Sequence, residues 1–140
     1  MNFIRLYAEL VEDEGRRSKP YTDTAGKLTI GVGRNLTDRG LSSAEIDLLL
    51  QNDVADALSD CAGLRYFPAL DDVRQRVVVN MVFNLGLTKF IEFSRLQKAL
   101  GLHDYQAAAR EMADSKWARE DVQPSRSGRL IAMMRTGQEP

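Results

Sequence analysis

Glu14-Gly-Arg-Arg-Ser-Lys-Pro-Tyr-Thr-Asp23-Thr-Ala-Gly-Lys-Leu-Thr29-Ile-Gly-Val-Gly33 is the stretch in which the chain changes character. Before it, Phe3, Ile4, Tyr7, Leu10 and Val11 recur at helical spacing, so residues 2–14 read as an amphipathic helix that Gly15 stops. Within it, Pro20, Gly26, Gly31 and Gly33 punctuate short runs such as Lys27-Leu-Thr-Ile30. That pattern predicts a small antiparallel sheet with tight turns over residues 18–37.

After the stretch the period returns to that of helices. Ser42-Ser-Ala-Glu45 is a capping box, and the helix it opens has an apolar face of Ile46, Leu49, Leu50, Val54, Ala57, Leu58 and Cys61. Asp71-Asp72 suit the start of the next helix. That helix carries Val73, Val77, Val78, Val79, Met81, Val82 and Leu85, apolar on most sides, and reads as the central buried one. Further helices fit residues 89–92, 95–100, 105–113 and 126–134. The expected fold class is α+β: mostly helical, with a small antiparallel sheet lobe and a cleft between lobes. One domain spans residues 1–140, with 15–40 as the sheet lobe and 1–14 and 41–140 as the helical lobe. Clefts of this kind are default ligand sites.

Bulk properties narrow the function. The chain has 140 residues, enough for one domain with a real core. It is 44% hydrophobic and 28% charged, an ordinary soluble balance. Lys plus Arg total 19 and Asp plus Glu total 20, so no global basic field exists to hold nucleic acid. Cys61 is the one cysteine, which excludes an intrachain disulfide, and its apolar helical setting reads as a buried structural thiol. His103 is the one histidine, in a polar turn, which argues against a His-based triad or a multi-histidine metal site. The opening stretch lacks the unbroken apolar run of a signal peptide or membrane anchor, so residence in the cytoplasm until another factor releases the protein is expected. No membrane insertion is expected, and a monomer is.

Two carboxyl groups in different environments are the minimum for glycoside hydrolysis. Glu14 ends the first helix, at the negative end of its dipole and beside Glu12 and Asp13, which favours a protonated acid. Asp23 lies nine residues on, in a polar turn beside Thr22 and Thr24 that suits an ionised carboxylate. Thr29, six residues further, can help hold a water molecule near Asp23. A glutamate at a helix end and an aspartate in a turn are also common surface residues, and spacing alone leaves that plain reading open.

The whole stretch resembles the active-site signature of the phage lysozyme family of the T-even type. Glu14-Gly15, Tyr21-x-Asp23, Gly26 and Thr29-Ile-Gly-Val-Gly33 carry the likeness. It continues through Asn80-Met-Val-Phe83-Asn84-x-Gly86, Ser115-Lys-Trp117, Pro124-x-Arg126-x-x-Arg129 and Arg135-Thr-Gly137, in order along nearly the whole chain. The resemblance implies a lysozyme-like fold that works without a metal or organic cofactor. It implies hydrolysis of the β-1,4 bond between N-acetylmuramic acid and N-acetylglucosamine in bacterial peptidoglycan, by a host-lysis endolysin. Glu14 would be the general acid, and Asp23 with Thr29 would handle the water. The inverting route it implies places the carboxyl groups about 6.5–9.5 Å apart, against about 5 Å for a retaining one.

The resemblance also assigns supporting residues. Arg126 matches the family arginine that pairs with the catalytic glutamate, so an Arg126–Glu14 contact is expected. Where many members have histidine, this chain has Arg34, and Asp53 matches its aspartate partner; an Arg34–Asp53 ion pair is expected. Asn35, Phe83 and Asn84 carry over as substrate contacts. At two other family contact positions this chain has Leu96 and Glu111, whose chemistry differs. Trp117 reads as core rather than as a sugar platform. Arg16, Arg17, Lys19, Lys116 and Arg119 are local basic groups that could serve the polymer, although a solvated face explains each of them. Two alternatives stay open: a lytic transglycosylase acting on the same polymer, and a non-catalytic peptidoglycan-binding module of the same fold.

Overall fold

A computed structural model describes residues 1–139. The chain forms two compact units, Met1–Leu49 and Leu50–Pro140. The architecture is α+β, as expected: seven α-helices and one three-stranded antiparallel sheet among the described residues.

Unit one begins with α1, Phe3–Glu14. Asn2 caps it by accepting the Arg5 N–H, and Gly15 ends it at a φ of 74°. The sheet follows as β1 (Arg17–Thr22), β2 (Leu28–Gly31) and β3 (Arg34–Asn35), in that order. In the first hairpin Tyr21 faces Thr29 and Thr22 faces Leu28. Its register is irregular between Arg17 and Tyr21, where Pro20 has no N–H to give the ladder. In the second hairpin Thr29 faces Asn35 and Ile30 faces Arg34. Only Thr29 is buried in this unit. The expected apolar face of α1 exists in the sequence, but none of the helix's residues is buried. Hydrogen bonds and turns, rather than an apolar core, hold this unit's sheet together.

The α2 helix, Ser43–Ala62, starts on the expected capping box. The Ser42 N–H donates to Glu45 Oε2 at 2.7 Å, and the Glu45 N–H donates back to Ser42 Oγ at 3.3 Å. Its apolar face is less covered than the periodicity suggests: Ala57 and Cys61 are buried, while Ile46, Leu49, Leu50 and Leu58 stay exposed. The helix begins in a unit without an apolar layer. Further along it, Leu50, Val54 and Leu58 line an open groove of about 540 Å³ rather than a closed core.

Unit two holds every buried apolar side chain among the described residues. Asp71 caps α3 (Asp72–Leu85) through the Arg74 N–H, and α3 buries Val77, Val78, Met81 and Val82 as expected of a central helix. Around it lie α4 (Leu87–Ile91), α5 (Ser94–Gly101), α6 (Tyr105–Asp114) and α7 (Pro124–Thr136), close to the expected segments. Phe90, Leu100, Met112, Trp117 and Met134 are fully buried, each of the larger ones stabilising by about 1.5–3 kcal/mol relative to exposure. Two elements were not expected: a 3₁₀ turn at Phe67–Ala69 and a π-helical turn at Trp117–Asp121. Cys61 is the structural thiol anticipated, fully buried and free, its thiol pushed up to about 11 chiefly by burial.

Candidate active site

The three expected catalytic residues all fall in unit one, on three successive pieces of structure. Glu14 is the last residue of α1, Asp23 opens the turn between β1 and β2, and Thr29 lies in β2.

Asp23 is built into its turn. Its Oδ1 accepts the Ala25 N–H at 2.9 Å and the Lys27 N–H at 2.8 Å, while its own N–H donates to the Lys27 carbonyl. This is an Asx turn, in which a short carboxylate replaces a backbone carbonyl. Gly26, at a φ of 78°, supplies the left-handed residue the turn requires. Oδ1 is therefore fixed by the turn, while Oδ2 takes no part in it.

Thr29 is 4% exposed, and its hydroxyl donates to the Lys27 carbonyl at 3.1 Å. With its hydrogen committed, Oγ1 faces any further partner as an acceptor.

Glu14 reaches the other hairpin. Its carboxyl and Cγ lie over Gly33 in the β2–β3 turn, so near that a Cβ there would stand 2.9 Å from Oε2. Within unit one, among the described residues, Glu14 forms no ion pair and accepts no hydrogen bond. The two carboxyl groups thus differ: one is locked by backbone donors, and the other rests on a glycine.

Arg34 departs from expectation. Its guanidinium grips Glu45 with both Nη atoms, Nη1 to Oε2 at 2.8 Å, and Nη1 also donates to the Gly40 carbonyl. The partner expected from the sequence, Asp53, belongs to unit two, and within unit one Arg34 pairs with Glu45. Asp53 stands eight residues further along α2, about 12 Å along the helix axis from Glu45. Glu45, at the helix start beside the Gly40 loop, takes the fork instead. Its carboxyl is held down to about 2, first by the Arg34 hydrogen bond and then by the Ser42 N–H. The capping box had already marked Glu45; its second role as an ion-pair partner had no separate signal.

The remaining residues have structural partners. The Asn35 amide donates to Asp38 Oδ2 and its oxygen accepts the Asp38 N–H, so both ends serve a turn. Asn84 Oδ1 accepts the Trp117 indole N–H at 2.9 Å, and Trp117 is core, as expected. Phe83 is exposed and shares the unit-two groove with Asn80 and Arg126. Arg126 donates to Asn80 Oδ1 from Nε at 3.1 Å and from Nη2 at 2.7 Å, an acceptor not anticipated from the sequence. Leu96 is core. Among the described residues no cluster of His, Cys, Asp or Glu could hold a metal ion. No described helix is long and apolar enough to cross a membrane.

Glu14 at a helix end and Asp23 in a sheet turn are two carboxyl groups in unlike settings, a pair of the kind glycosidase-type enzymes use. Residues 11–130 match the phage lysozyme family, and the chain belongs to that family. It is 26% identical to a probable T4-type lysozyme of Dictyostelium discoideum, over 89% of this chain and 90% of that protein. It is 29% identical to an endolysin of Acyrthosiphon pisum secondary endosymbiont phage 1, over 81% of this chain and 77% of that one. The SAR-endolysin of Escherichia phage Mu is 34% identical, over 74% and 61%.

Proposed function

We propose that this protein hydrolyses the β-1,4 bond between N-acetylmuramic acid and N-acetylglucosamine in bacterial peptidoglycan, with inversion, and acts as an endolysin on the cell wall. Glu14 is the general acid that protonates the leaving oxygen. Asp23 is the base that takes a proton from the attacking water. Thr29 orients that water: its Oγ1, already donating to Lys27, accepts the second hydrogen.

The observation that carries this reading is the contrast between the carboxyl groups. Asp23 is pinned through Oδ1 by two backbone N–H groups and presents Oδ2. Glu14 has no such donors within its unit, so its carboxyl is not tied to backbone N–H groups. The acid and the base must each lie within about 2.6–3.2 Å of the group that gives or takes the proton, and the two carboxyls here are placed by different means. Family membership supports the substrate class.

The experiment is clearance of outer-membrane-permeabilised cells, with product analysis by NMR. Glu14→Gln should lose at least about 10²-fold in rate, the usual worth of a positioned acid. Asp23→Asn keeps an oxygen for the Ala25 and Lys27 N–H groups, so it should fold like the wild type and lose activity comparably. Asp23→Ala should in addition cost about 1–2 kcal/mol of stability. The first product should be the α-anomer. A Glu14→Gln variant as active as the wild type would end the assignment, and anhydro-muramic ends would transfer it to a lytic transglycosylase.

A further inference from the structure

We propose that Gly33 is a positioning residue for the catalytic acid: its bare Cα is the seat on which the Glu14 carboxyl rests, and any side chain there displaces the acid. The proposal rests on the reading of Glu14 as that acid.

Two glycines bracket Val32 where β2 gives way to β3: Gly31 ends β2, and Gly33 lies in the turn. Both have left-handed backbone, Gly31 at a φ of 68° and Gly33 at 66°. Turn geometry therefore demands glycine equally at each position. Their surroundings differ. A Cβ on Gly31 would meet nothing within 4 Å. A Cβ on Gly33 would stand 2.9 Å from Glu14 Oε2, 3.1 Å from Cδ and 3.3 Å from Cγ. All three contacts belong to one side chain, and none is backbone. The outer half of Glu14 is laid flat on the turn.

A methyl at position 33 would not break the fold through this contact, because the far end of a flexible side chain yields before backbone does. What yields is the carboxyl. Glu14 is the last residue of α1, and its Cα is fixed by the helix. Its carboxyl can escape only by rotating off the turn. A general acid must reach about 2.6–3.2 Å from the oxygen it protonates. Misplacement by about 1 Å at a reacting group costs about 10²-fold in rate. The strand-turn glycine is thus the fixed surface against which a mobile acid is set, while the first hairpin fixes the base by hydrogen bonds.

The equal φ of Gly31 supplies the control. Gly31→Ala, Gly33→Ala, Glu14→Gln and the Gly33→Ala/Glu14→Gln double variant are compared by thermal unfolding and by kinetics on soluble peptidoglycan oligosaccharides. Gly31→Ala and Gly33→Ala should lower Tm by similar amounts, since both pay the same backbone strain. Gly33→Ala alone should lose about 10²-fold in kcat with KM nearly unchanged. In the Glu14→Gln background, Gly33→Ala should cost almost nothing further, because the methyl acts only through the carboxyl. The proposal is overturned if Gly31→Ala loses as much kcat as Gly33→Ala, or if Gly33→Ala still costs tens-fold on top of Glu14→Gln. It is equally overturned if Gly33→Ala retains full kcat while Glu14→Gln is inactive. An active Glu14→Gln would instead remove the reading of Glu14 beneath it.

Discussion

Arg34 and Glu45 show how one residue changes the conditions under which a pair holds. Their side chains are 24% and 36% exposed, and the Glu45 carboxyl also accepts the Ser42 N–H at the start of α2. The pair therefore ties β3 to the N-terminus of the next helix. Glu45 is lowered from an ordinary 4.5 to about 2 in the folded chain, with the Arg34 hydrogen bond as the largest cause. A lowered carboxyl favours the folded state wherever the unfolded chain would bind a proton more readily. The stabilisation is therefore complete above about pH 4.5 and disappears as pH falls toward about 2. Glu45→Gln keeps the capping acceptor and removes only the charge. The wild type should melt a few degrees above this variant at neutral pH, as expected of a partly exposed pair. Melting curves taken across pH should show the gap closing between about 4.5 and 2. Arginine stays charged throughout, so the gap should not change between about pH 6 and 8, whereas Arg34→His should introduce a loss in that window. A gap that instead opens on acidification would refute the pairing.

At the scale of elements, Arg74 on α3 ties three helices together. Its Nη1 bonds Asp71 Oδ2 at 2.5 Å, its Nε donates to the Met134 carbonyl at 2.8 Å, and its Nη2 donates to the Arg135 carbonyl. Its guanidinium lies over the Tyr105 ring, 3.8 Å from the centroid. One side chain thus joins the start of α3, the first residue of α6 and the negative end of α7. Arg74→Ala should cost about 2–3 kcal/mol in denaturant unfolding, and Arg74→Lys should recover less than half, because only a planar fork serves all these partners. Full recovery by lysine would show that charge alone matters. None of this was legible in the sequence, where Arg74 is one helix-surface residue among many. Legible signals were the local ones: the Ser42 box, Asp71-Asp72 at the start of α3, Gly15 at the end of α1, and the Pro and Gly pattern of the sheet. The spacing of Glu14, Asp23 and Thr29 was legible as well. The missed features depend on partners distant in the chain. In the π-helical turn at Trp117–Asp121, Trp117 is buried in the core and Ser127 Oγ, from α7, donates to the Ala118 carbonyl. The seat at Gly33 is visible only once α1 and the second hairpin are placed side by side.

At the scale of the whole molecule, charge sets how the chain would approach an anionic polymer such as the proposed wall substrate. With 19 basic and 20 acidic side chains the net charge is −1, which gives no long-range attraction. Whatever attraction exists must come from local groups. In unit one these are Arg16, Arg17 and Lys19, all exposed, with Arg17 stacked 4.3 Å from the Tyr21 ring. The same unit carries Glu9, Glu12 and Asp13 on α1, which offset them in sign. In unit two, Lys116 is already within 4.0 Å of Asp121. Raising ionic strength shortens the screening length to about 10 Å at 0.1 M, so it erases long-range fields and leaves close contacts. The rate on purified walls should therefore change by less than about twofold between low and physiological salt, unlike that of a strongly cationic wall enzyme. Turbidity clearance measured across a sodium chloride series tests this. A steep fall with salt would mean that Arg16, Arg17 and Lys19 act together as a contact patch; replacing all three with Ala should then abolish the salt dependence while leaving the rate on short oligosaccharides unchanged.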